Sequence, residues 1–193
     1  MKITALHERH EEAFKSVLGV ELVGTGPLPQ QRREGLLGPR VPPAWEPELL
    51  LPQVDLDGQM RLQGSCVLVV GAGGLGCPVT QYLAGAGVGH IRVVDPDQVE
   101  LSNLPRQVVY TEADVGVAKV DALTSRLRAA NVDIVLEGCL GRFDTTSAQD
   151  LLDGVDLVID ASDSKQARLD IDRSTYERQL PWIMGAAVQT AGQ

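Results

Sequence analysis

The sequence predicts a doubly wound α/β fold, with a mostly parallel sheet and an N-terminal helical arm. The first observation is the apolar run Cys66–Val70, which lacks the alternation of a strand with one wet face. Such a run is typical of a strand buried on both faces, as in parallel sheets. The second is that similar runs recur between segments of helical periodicity. The third is the length of 193 residues, enough for one α/β domain plus an extension.

The first 43 residues are predicted to form the helical arm and a linker. Apolar residues over about 4–22 recur at the spacing of an amphipathic helix. The stretch 24–43 is rich in Gly, Pro, Gln and Arg, a composition that breaks both helices and strands. We therefore divide the chain into an arm and linker, 1–43, and a Rossmann-like domain, 44–193.

The domain is predicted to begin with helical turns and then to alternate strands with helices. Residues 45–63 are interpreted as a short helix, a turn and a second helical turn. The elements that follow are a strand at Cys66–Val70, a helix from about Cys77, a strand at His90–Val94, a helix at Val117–Ala130, a strand at Asp133–Glu137, a helix at Thr146–Leu152, a strand at Asp156–Asp160, a helix at Lys165–Arg178 and a strand at Pro181–Gly185. Alternation of this kind places all strand ends of one polarity at the same edge of the sheet.

Composition excludes several classes of function. The net charge is −9 and no basic stripe is present, so we expect no nucleic acid and no anionic membrane surface as partner. No apolar run reaches membrane-spanning length, and the first residues lack the apolar core of a signal peptide, so we expect a cytoplasmic protein. Cys66, Cys77 and Cys139 are widely spaced and never form a C-x-x-C pair, which favours small buried residues and no zinc site.

A glycine-rich segment directly follows the first predicted strand and opens a helix. In such a strand–turn–helix unit, Gly71 allows a tight turn, and Gly76 allows the helix to pack closely. Gly73 and Gly74 carry no side chain that would hold a ligand away from the backbone, so free N–H groups at the helix start form a phosphate site. The next strand ends in Asp95, placed to accept a hydrogen bond from a ribose hydroxyl. We predict a nucleotide site; a purely structural turn is the alternative.

Further polar residues follow the carboxyl ends of the predicted strands. The loop Pro96–Gln107 is long, and long loops at this edge of a parallel sheet hold ligands. Lys119 lies near a predicted helix start, where a cation is disfavoured, so we expect it to be solvated or to meet an anionic ligand. With Arg106 and Asp163, the edge carries two cations and an acid. This set indicates phosphoryl or nucleotidyl transfer, in which the acid can bind Mg²⁺, although each residue alone could be a surface ion pair.

The motifs together resemble the ThiF/MoeB/HesA family, relatives of ubiquitin-activating enzymes. The resemblance covers about Leu49–Gln193. It rests on Gly71-Ala72-Gly73-Gly74-Leu75-Gly76-Cys77-Pro78, Leu83-Ala84-Gly85-Ala86-Gly87-Val88-Gly89, Val94-Asp95-Pro96-Asp97-Gln98-Val99-Glu100-Leu101-Ser102-Asn103-Leu104-Pro105-Arg106-Gln107 and Asp114-Val115-Gly116-Val117-Ala118-Lys119-Val120.

The resemblance implies an enzyme that uses Mg-ATP to adenylate the C-terminal carboxylate of a ubiquitin-like sulfur-carrier protein, or a peptide carboxylate, with release of pyrophosphate. It also implies a homodimer. By resemblance, Asp163 binds Mg²⁺ and acts in catalysis with Arg106 and Lys119. The implied nucleotide contacts are Gly71, Gly73, Gly74, Gly76, Asp95, Asp97, Asn103, Arg106, Gln107 and Lys119.

The sequence also departs from the family pattern. An R-Y-x-R-type segment usually precedes the L-L-L-P stretch, and its second arginine reaches into the partner's site; this chain has Ala44-Trp45-Glu46-Pro47-Glu48 instead. Where the family has Q-R-Q this chain has Leu104-Pro105-Arg106-Gln107, and where the family has T-D-N it has Ser162-Asp163-Ser164. The chain ends before the part that carries the family's zinc pairs, catalytic cysteine loop and carrier groove. We therefore expect ATP binding but poor adenylation.

Two other functions remain open at this point. The chain could be a dimerising module of the same family that binds nucleotide and has lost turnover. It could also be an NAD-binding oxidoreductase, which explains the glycines and Asp95 but leaves Arg106, Lys119 and Asp163 without a role.

Overall fold

The computed structural model of the protein describes residues 55–188 and 191–192. They form a five-stranded parallel sheet of order β3-β2-β1-β4-β5, flanked by helices, and a short antiparallel pair β6–β7. The elements in chain order are α1 Asp55–Gln63, β1 Cys66–Val70, α2 Gly76–Gly85, β2 His90–Asp95, α3 Lys119–Ala130, β3 Val135–Leu140, α4 Ala148–Leu151, β4 Leu157–Asp160, α5 Lys165–Arg178, β5 Trp182–Met184, β6 Ala187–Val188 and β7 Ala191–Gly192. The predicted doubly wound α/β fold is confirmed.

Alternate residues of the central strand β1 supply the two halves of the core. Val67 and Val69 pack in one cluster with residues of α2 and α3, whereas Leu68 and Val70 pack in a second cluster with residues of α4 and α5. All four valine and leucine side chains are buried. Both faces of β1 are therefore covered, which is why its sequence is continuously apolar.

The strand register brings the carboxyl ends of the strands to one edge of the sheet. Val70 at the end of β1 lies opposite Val94 in β2 and Asp160 in β4. Asp95, the last residue of β2, lies opposite Leu140 at the end of β3. The loops that follow β1, β2 and β4 consequently meet at this edge, which we call the carboxyl edge.

The strands and helices predicted from residue 66 onward are all present, but most of their bounds differ from the predictions by one to three residues. The bounds of β1 and α5 are those predicted. The helix predicted from Val117 begins at Lys119, because Val117 and Gly116 instead exchange backbone hydrogen bonds with Val99. Strand β3 begins two residues later than predicted, since the Asp133 N–H donates to the Asn131 side chain in a turn. It ends at Leu140, three residues later than predicted, because Gly138, Cys139 and Leu140 continue the pairing with β2.

The remaining differences are small. Helix α4 is shorter than predicted because the N–H groups of Thr146 and Ser147 donate to the side chain of Asp144 before the helix begins.

Cys66 and Cys77 are buried and Cys139 is half-buried, and all three are free thiols. Within residues 55–188 and 191–192, no helix is long and apolar enough to cross a membrane. The predicted arm, its linker and the segment 44–48 lie outside the described residues.

Candidate functional site

The glycine segment forms a loop between β1 and α2 at the carboxyl edge. Its first residue, Gly71, has a φ of 104°, a left-handed conformation that favours glycine, and donates its N–H to the carbonyl oxygen of Val94. A Cβ on Gly71 would lie 2.8 Å from the carbonyl oxygen of Ala161, and one on Gly76 would overlap the carbonyl oxygen of Gly71. The fold itself therefore requires glycine at these two positions.

Gly73 and Gly74 differ from these two glycines, because the fold leaves room for side chains there. Among the described residues, a Cβ on Gly73 would meet nothing closer than Nε2 of Gln107, at 3.7 Å, and one on Gly74 would meet only atoms of Arg106, from 3.7 Å outward. Both N–H groups donate to no acceptor within the described part of the chain. Two bare N–H groups at the start of α2 form a cradle for an anion.

The backbone N–H and carbonyl oxygen of Ala72, which lies between Gly71 and Gly73, are both held by buried side chains. Its N–H donates to Oδ2 of Asp95 over 2.7 Å. Its carbonyl oxygen accepts from the hydroxyl of Tyr110 at 2.8 Å and from the thiol of Cys77 at 3.2 Å. Burial raises the pKa of the Cys77 thiol to about 11 and the pKa of the Tyr110 hydroxyl well above its ordinary value, so both groups keep their protons. The loop is thus rigidly positioned.

Asp95 connects the glycine loop to the loop that follows β2. Its second carboxylate oxygen, Oδ1, accepts from the N–H of Asp97 over 2.8 Å, and the residue is buried. Each carboxylate oxygen has two lone pairs, so the side chain can still accept a further hydrogen bond. Its predicted contact with a ribose hydroxyl stays a prediction.

Lys119 is buried at the start of α3, with 6% of its surface exposed. Its Nζ lies 3.0 Å from Oδ2 of Asp97, and its N–H donates to the carbonyl oxygen of Asp97. We expected this lysine to be solvated or to meet an anionic ligand. In the structure it is buried and its anionic neighbour is the chain's own Asp97 carboxylate, so its contact with a ligand stays a prediction. The Asp97 side chain is mostly exposed, so the pair lies at the mouth of the carboxyl edge.

The end of the loop after β2 contributes an amide and a guanidinium. Gln107 is 3% exposed, and its Oε1 has no hydrogen-bond partner. Among the described residues, Oε1 of Gln59 is the other buried side-chain atom without one. A buried acceptor without a partner costs about 1–3 kcal/mol, so a ligand that donates to it would relieve the cost. Arg106 is exposed and donates from Nη1 to the carbonyl oxygen of Ser102 over 3.1 Å. Its stem lies beside Gly74.

Asn103 is buried inside the same loop, where it forms a reciprocal capping arrangement with Glu100. Its Oδ1 accepts from the N–H of Glu100 over 3.2 Å, and the Glu100 side chain accepts from the N–H of Asn103. The structure therefore shows a local structural role for Asn103, and its predicted nucleotide contact stays a prediction.

Asp163 lies on the loop between β4 and α5, the same loop that packs against Gly71. The side chain of Asp163 is exposed. The loop is held by Asp160, a fully buried carboxylate that accepts from the N–H and hydroxyl of Ser162 and pairs with Nε of Arg168 at 2.9 Å. Sequence reasoning did not single out Tyr110 or Arg168, because each acts through a contact that only the folded chain creates.

The carboxyl edge thus combines a bare anion cradle, a buried lysine, an exposed arginine and an unpaired buried amide oxygen. The chain matches the ThiF family model over residues 46–193. The chain belongs to the ThiF family. The resemblance inferred from the motifs is confirmed.

Two named relatives show how similar the chain is to other members of the ThiF family. The chain is 44% identical over 146 residues to a sulfur carrier protein adenylyltransferase from Thermus thermophilus, covering 76% of this chain and 54% of the relative. It is 38% identical over 146 residues to a molybdopterin-synthase adenylyltransferase from Haemophilus influenzae, covering 76% of this chain and 60% of the relative. The chain spans 30% to 60% of the length of the curated relatives it matches.

The ThiF fold also has solved counterparts that contain nucleotides. One is a crystal structure of E. coli MccB with AMPCPP and MccA. It is similar to this chain with a TM-score of 0.63 and 29% sequence identity, and the match covers 67% of this chain and 38% of the MccB chain. A structure of MccB with ATP is similar with a TM-score of 0.61 and 29% identity, over 68% of this chain and 39% of that one.

Proposed function

We propose that this chain is the nucleotide-binding part of an ATP-dependent adenylyltransferase that activates the C-terminal carboxylate of a ubiquitin-like sulfur-carrier protein, in the biosynthesis of sulfur-containing cofactors. The observation that carries the proposal is the bare cradle at Gly73 and Gly74, where the described structure needs no glycine and offers no acceptor to either N–H group. The names of the ThiF relatives support the same reaction class.

In the proposed complex, the chain's own residues bind and orient ATP. The cradle holds phosphate oxygens, and Lys119 and Arg106 neutralise the charge on them. Asp95 accepts from a ribose hydroxyl, while Asp97, Asn103 and Gln107 complete the nucleotide contacts. A carboxylate oxygen of the carrier then attacks the α-phosphorus, a new acyl–phosphate bond forms, and the bond to the β-phosphate breaks to release pyrophosphate.

Asp163 is the proposed ligand of Mg²⁺. No group of three His, Cys, Asp or Glu side chains that could hold a metal occurs among the described residues. Mg²⁺ is commonly bound by one or two carboxylates together with substrate phosphates and waters, so a single exposed carboxylate fits. When bound, the ion would neutralise phosphate charge.

Several further features belong to the proposal. The domain is taken to begin near residue 44, with residues 1–43 as a separate arm, and to act as a homodimer. The three free thiols fit the reducing conditions of the cytoplasm. MccB crystallised with MccA is the reason to keep a peptide carboxylate as the alternative substrate.

The second candidate function is a nucleotide-binding dimerising module with impaired turnover. It is favoured by the segment 44–48, which has Pro47 where the family pattern has an arginine. An arginine that stabilises transition-state charge in phosphoryl transfer is worth about 10³–10⁵ in kcat. Arg40, beyond two prolines, is the nearest upstream substitute.

Two measurements test these proposals. Isothermal titration calorimetry should show binding of Mg-ATP and little binding of NAD; preference for NAD would refute the nucleotidyl-transfer site. Pyrophosphate exchange with ubiquitin-like carriers then compares the native chain with Pro47→Arg and Arg40→Ala. Exchange that is slow in the native chain and rises in Pro47→Arg supports the impaired module. Fast exchange that survives Arg40→Ala contradicts it.

A further inference from the structure

Tyr110 is a buried residue that the proposed reaction does not use. It is 4% exposed, and its hydroxyl lies 2.8 Å from the carbonyl oxygen of Ala72 and 3.3 Å from the carbonyl oxygen of Lys119. Ala72 is 38 residues away in the sequence, and Lys119 is 9 residues away. The hydroxyl therefore lies between the glycine loop and the start of α3.

The two contacts link the segments that carry the phosphate-facing groups. Ala72 directly precedes the bare N–H groups of Gly73 and Gly74, and Lys119 carries the buried ammonium group. A phenolic hydroxyl has one proton, so its two acceptors share that proton: the shorter contact, to Ala72, is the stronger hydrogen bond, and the longer contact, to Lys119, is the weaker one. A tilt of Ala72 or a shift of α3 would weaken this arrangement.

Other side chains hold one of these segments without reaching the other. Asp95 accepts from the N–H of Ala72, and Cys77 donates to its carbonyl oxygen. Asp97 accepts from the ammonium group of Lys119. In the described part of the chain, Tyr110 is the side chain whose hydrogen bonds reach both the glycine loop and the first residue of α3.

We propose that Tyr110 is a positioning residue that couples the glycine loop to Lys119, so that both contact the same phosphate group. This inference rests on the proposed ATP site. It predicts that loss of the hydroxyl impairs phosphate recognition and leaves recognition of the nucleoside intact, because the Asp95 carboxylate keeps its own hydrogen bonds to Ala72 and Asp97.

The test is Tyr110→Phe in the full chain, with Thr175→Val as the matched control. Thr175 is also a buried residue whose hydroxyl donates to a backbone carbonyl, that of Ile171 in α5 at 2.7 Å. Competition against a fluorescent ATP analogue gives the affinities for Mg-ATP and for adenosine. We expect Tyr110→Phe to weaken Mg-ATP about tenfold and adenosine less than about twofold, and Thr175→Val to change neither. Equal losses for both ligands, or no loss, would overturn the proposal.

A double-mutant cycle with Lys119→Met tests the coupling directly. If Tyr110 acts through the position of Lys119, its tenfold effect should fall to less than about threefold when the ammonium group is absent. Effects that multiply independently would refute the coupling. If Tyr110→Phe does not fold, hydrogen exchange of the native chain decides: Mg-ATP should slow exchange at Ala72 and at the start of α3 together, and protection of one without the other contradicts the proposal.

The outcomes separate this inference from the proposed function. A native chain that binds no Mg-ATP refutes the proposed function and this inference with it. A native chain that binds Mg-ATP, with a Tyr110→Phe variant that binds it equally well, refutes the positioning role alone.

Discussion

Replacing Gly73 with alanine should separate ligand binding from folding, because the structure leaves room for the new methyl group. Its Cβ would lie 3.7 Å from Nε2 of Gln107, an ordinary van der Waals contact, and the φ angle lies outside the left-handed region. Replacing glycine where the backbone is compatible stabilises a protein by about 0.4–1 kcal/mol, through the unfolded state. We therefore expect the urea midpoint of unfolding of Gly73→Ala to equal that of the native chain or to lie slightly above it.

The same methyl group would occupy the space proposed for a phosphate oxygen. A hydrogen bond between a backbone N–H and a charged group is worth about 1.5–3 kcal/mol. Losing one such contact at Gly73 corresponds to Mg-ATP binding that is about tenfold to a hundredfold weaker. Isothermal titration calorimetry measures this loss, and urea denaturation of the same samples measures stability.

Two other glycines provide the controls. Gly85→Ala, at the end of α2 where no described residue lies within 4 Å of a Cβ, should stabilise the helix by up to about 1 kcal/mol and leave Mg-ATP binding unchanged. Gly76→Ala should prevent stable folding, because its Cβ would overlap the carbonyl oxygen of Gly71. A Gly73→Ala protein with native stability and native Mg-ATP affinity would refute the cradle.

Three further outcomes are expected. Asp163→Asn should bind ATP equally well with and without Mg²⁺, measured by calorimetry; a native Mg²⁺ dependence would exclude Asp163 as the ligand. Arg168→Met should lower the free energy of unfolding by about 3 kcal/mol, because it leaves the buried Asp160 carboxylate unpaired, and a change below about 1 kcal/mol in urea denaturation would contradict this. Burial raises the pKa of both the Cys77 thiol, to about 11, and the Cys139 thiol, but Cys77 is fully buried and Cys139 only half-buried, so iodoacetamide at pH 8 should label Cys139 first; rapid labelling of Cys77 in the native chain would be inconsistent with the structure.

The sequence was sufficient for the elements whose local pattern and tertiary environment agree. Strand β1 is buried on both faces, so its continuous apolar run and its bounds coincide. Helix α5 has the predicted bounds, and it begins where the hydroxyl of Ser164 accepts from the N–H of Ala167. The order of strands and helices then placed the polar loops at one edge, because parallel strands share their direction.

The sequence could not predict the ends of helices and strands that are set by contacts with distant residues. Helix α3 was predicted to begin at Val117, yet Val117 and Gly116 hydrogen bond to Val99 in the preceding loop, and α3 starts at Lys119. Strand β3 lies at the edge of the sheet, so its exposed Val135 does not follow the pattern of a strand buried on both faces.

The sequence by itself determined the fold class, the family and the candidate site residues: the glycines, the lysine and the carboxylates were singled out by their types and spacing, and their roles in the chemistry stay predictions. Tertiary structure alone decided how they are held. The Asp97 carboxylate pairs with Lys119 from 22 residues away, and the Tyr110 hydroxyl reaches Ala72 across 38. Residue type reports which bonds a side chain can form, whereas the partner depends on how strands β1 and β2 and helix α3 bring distant segments together.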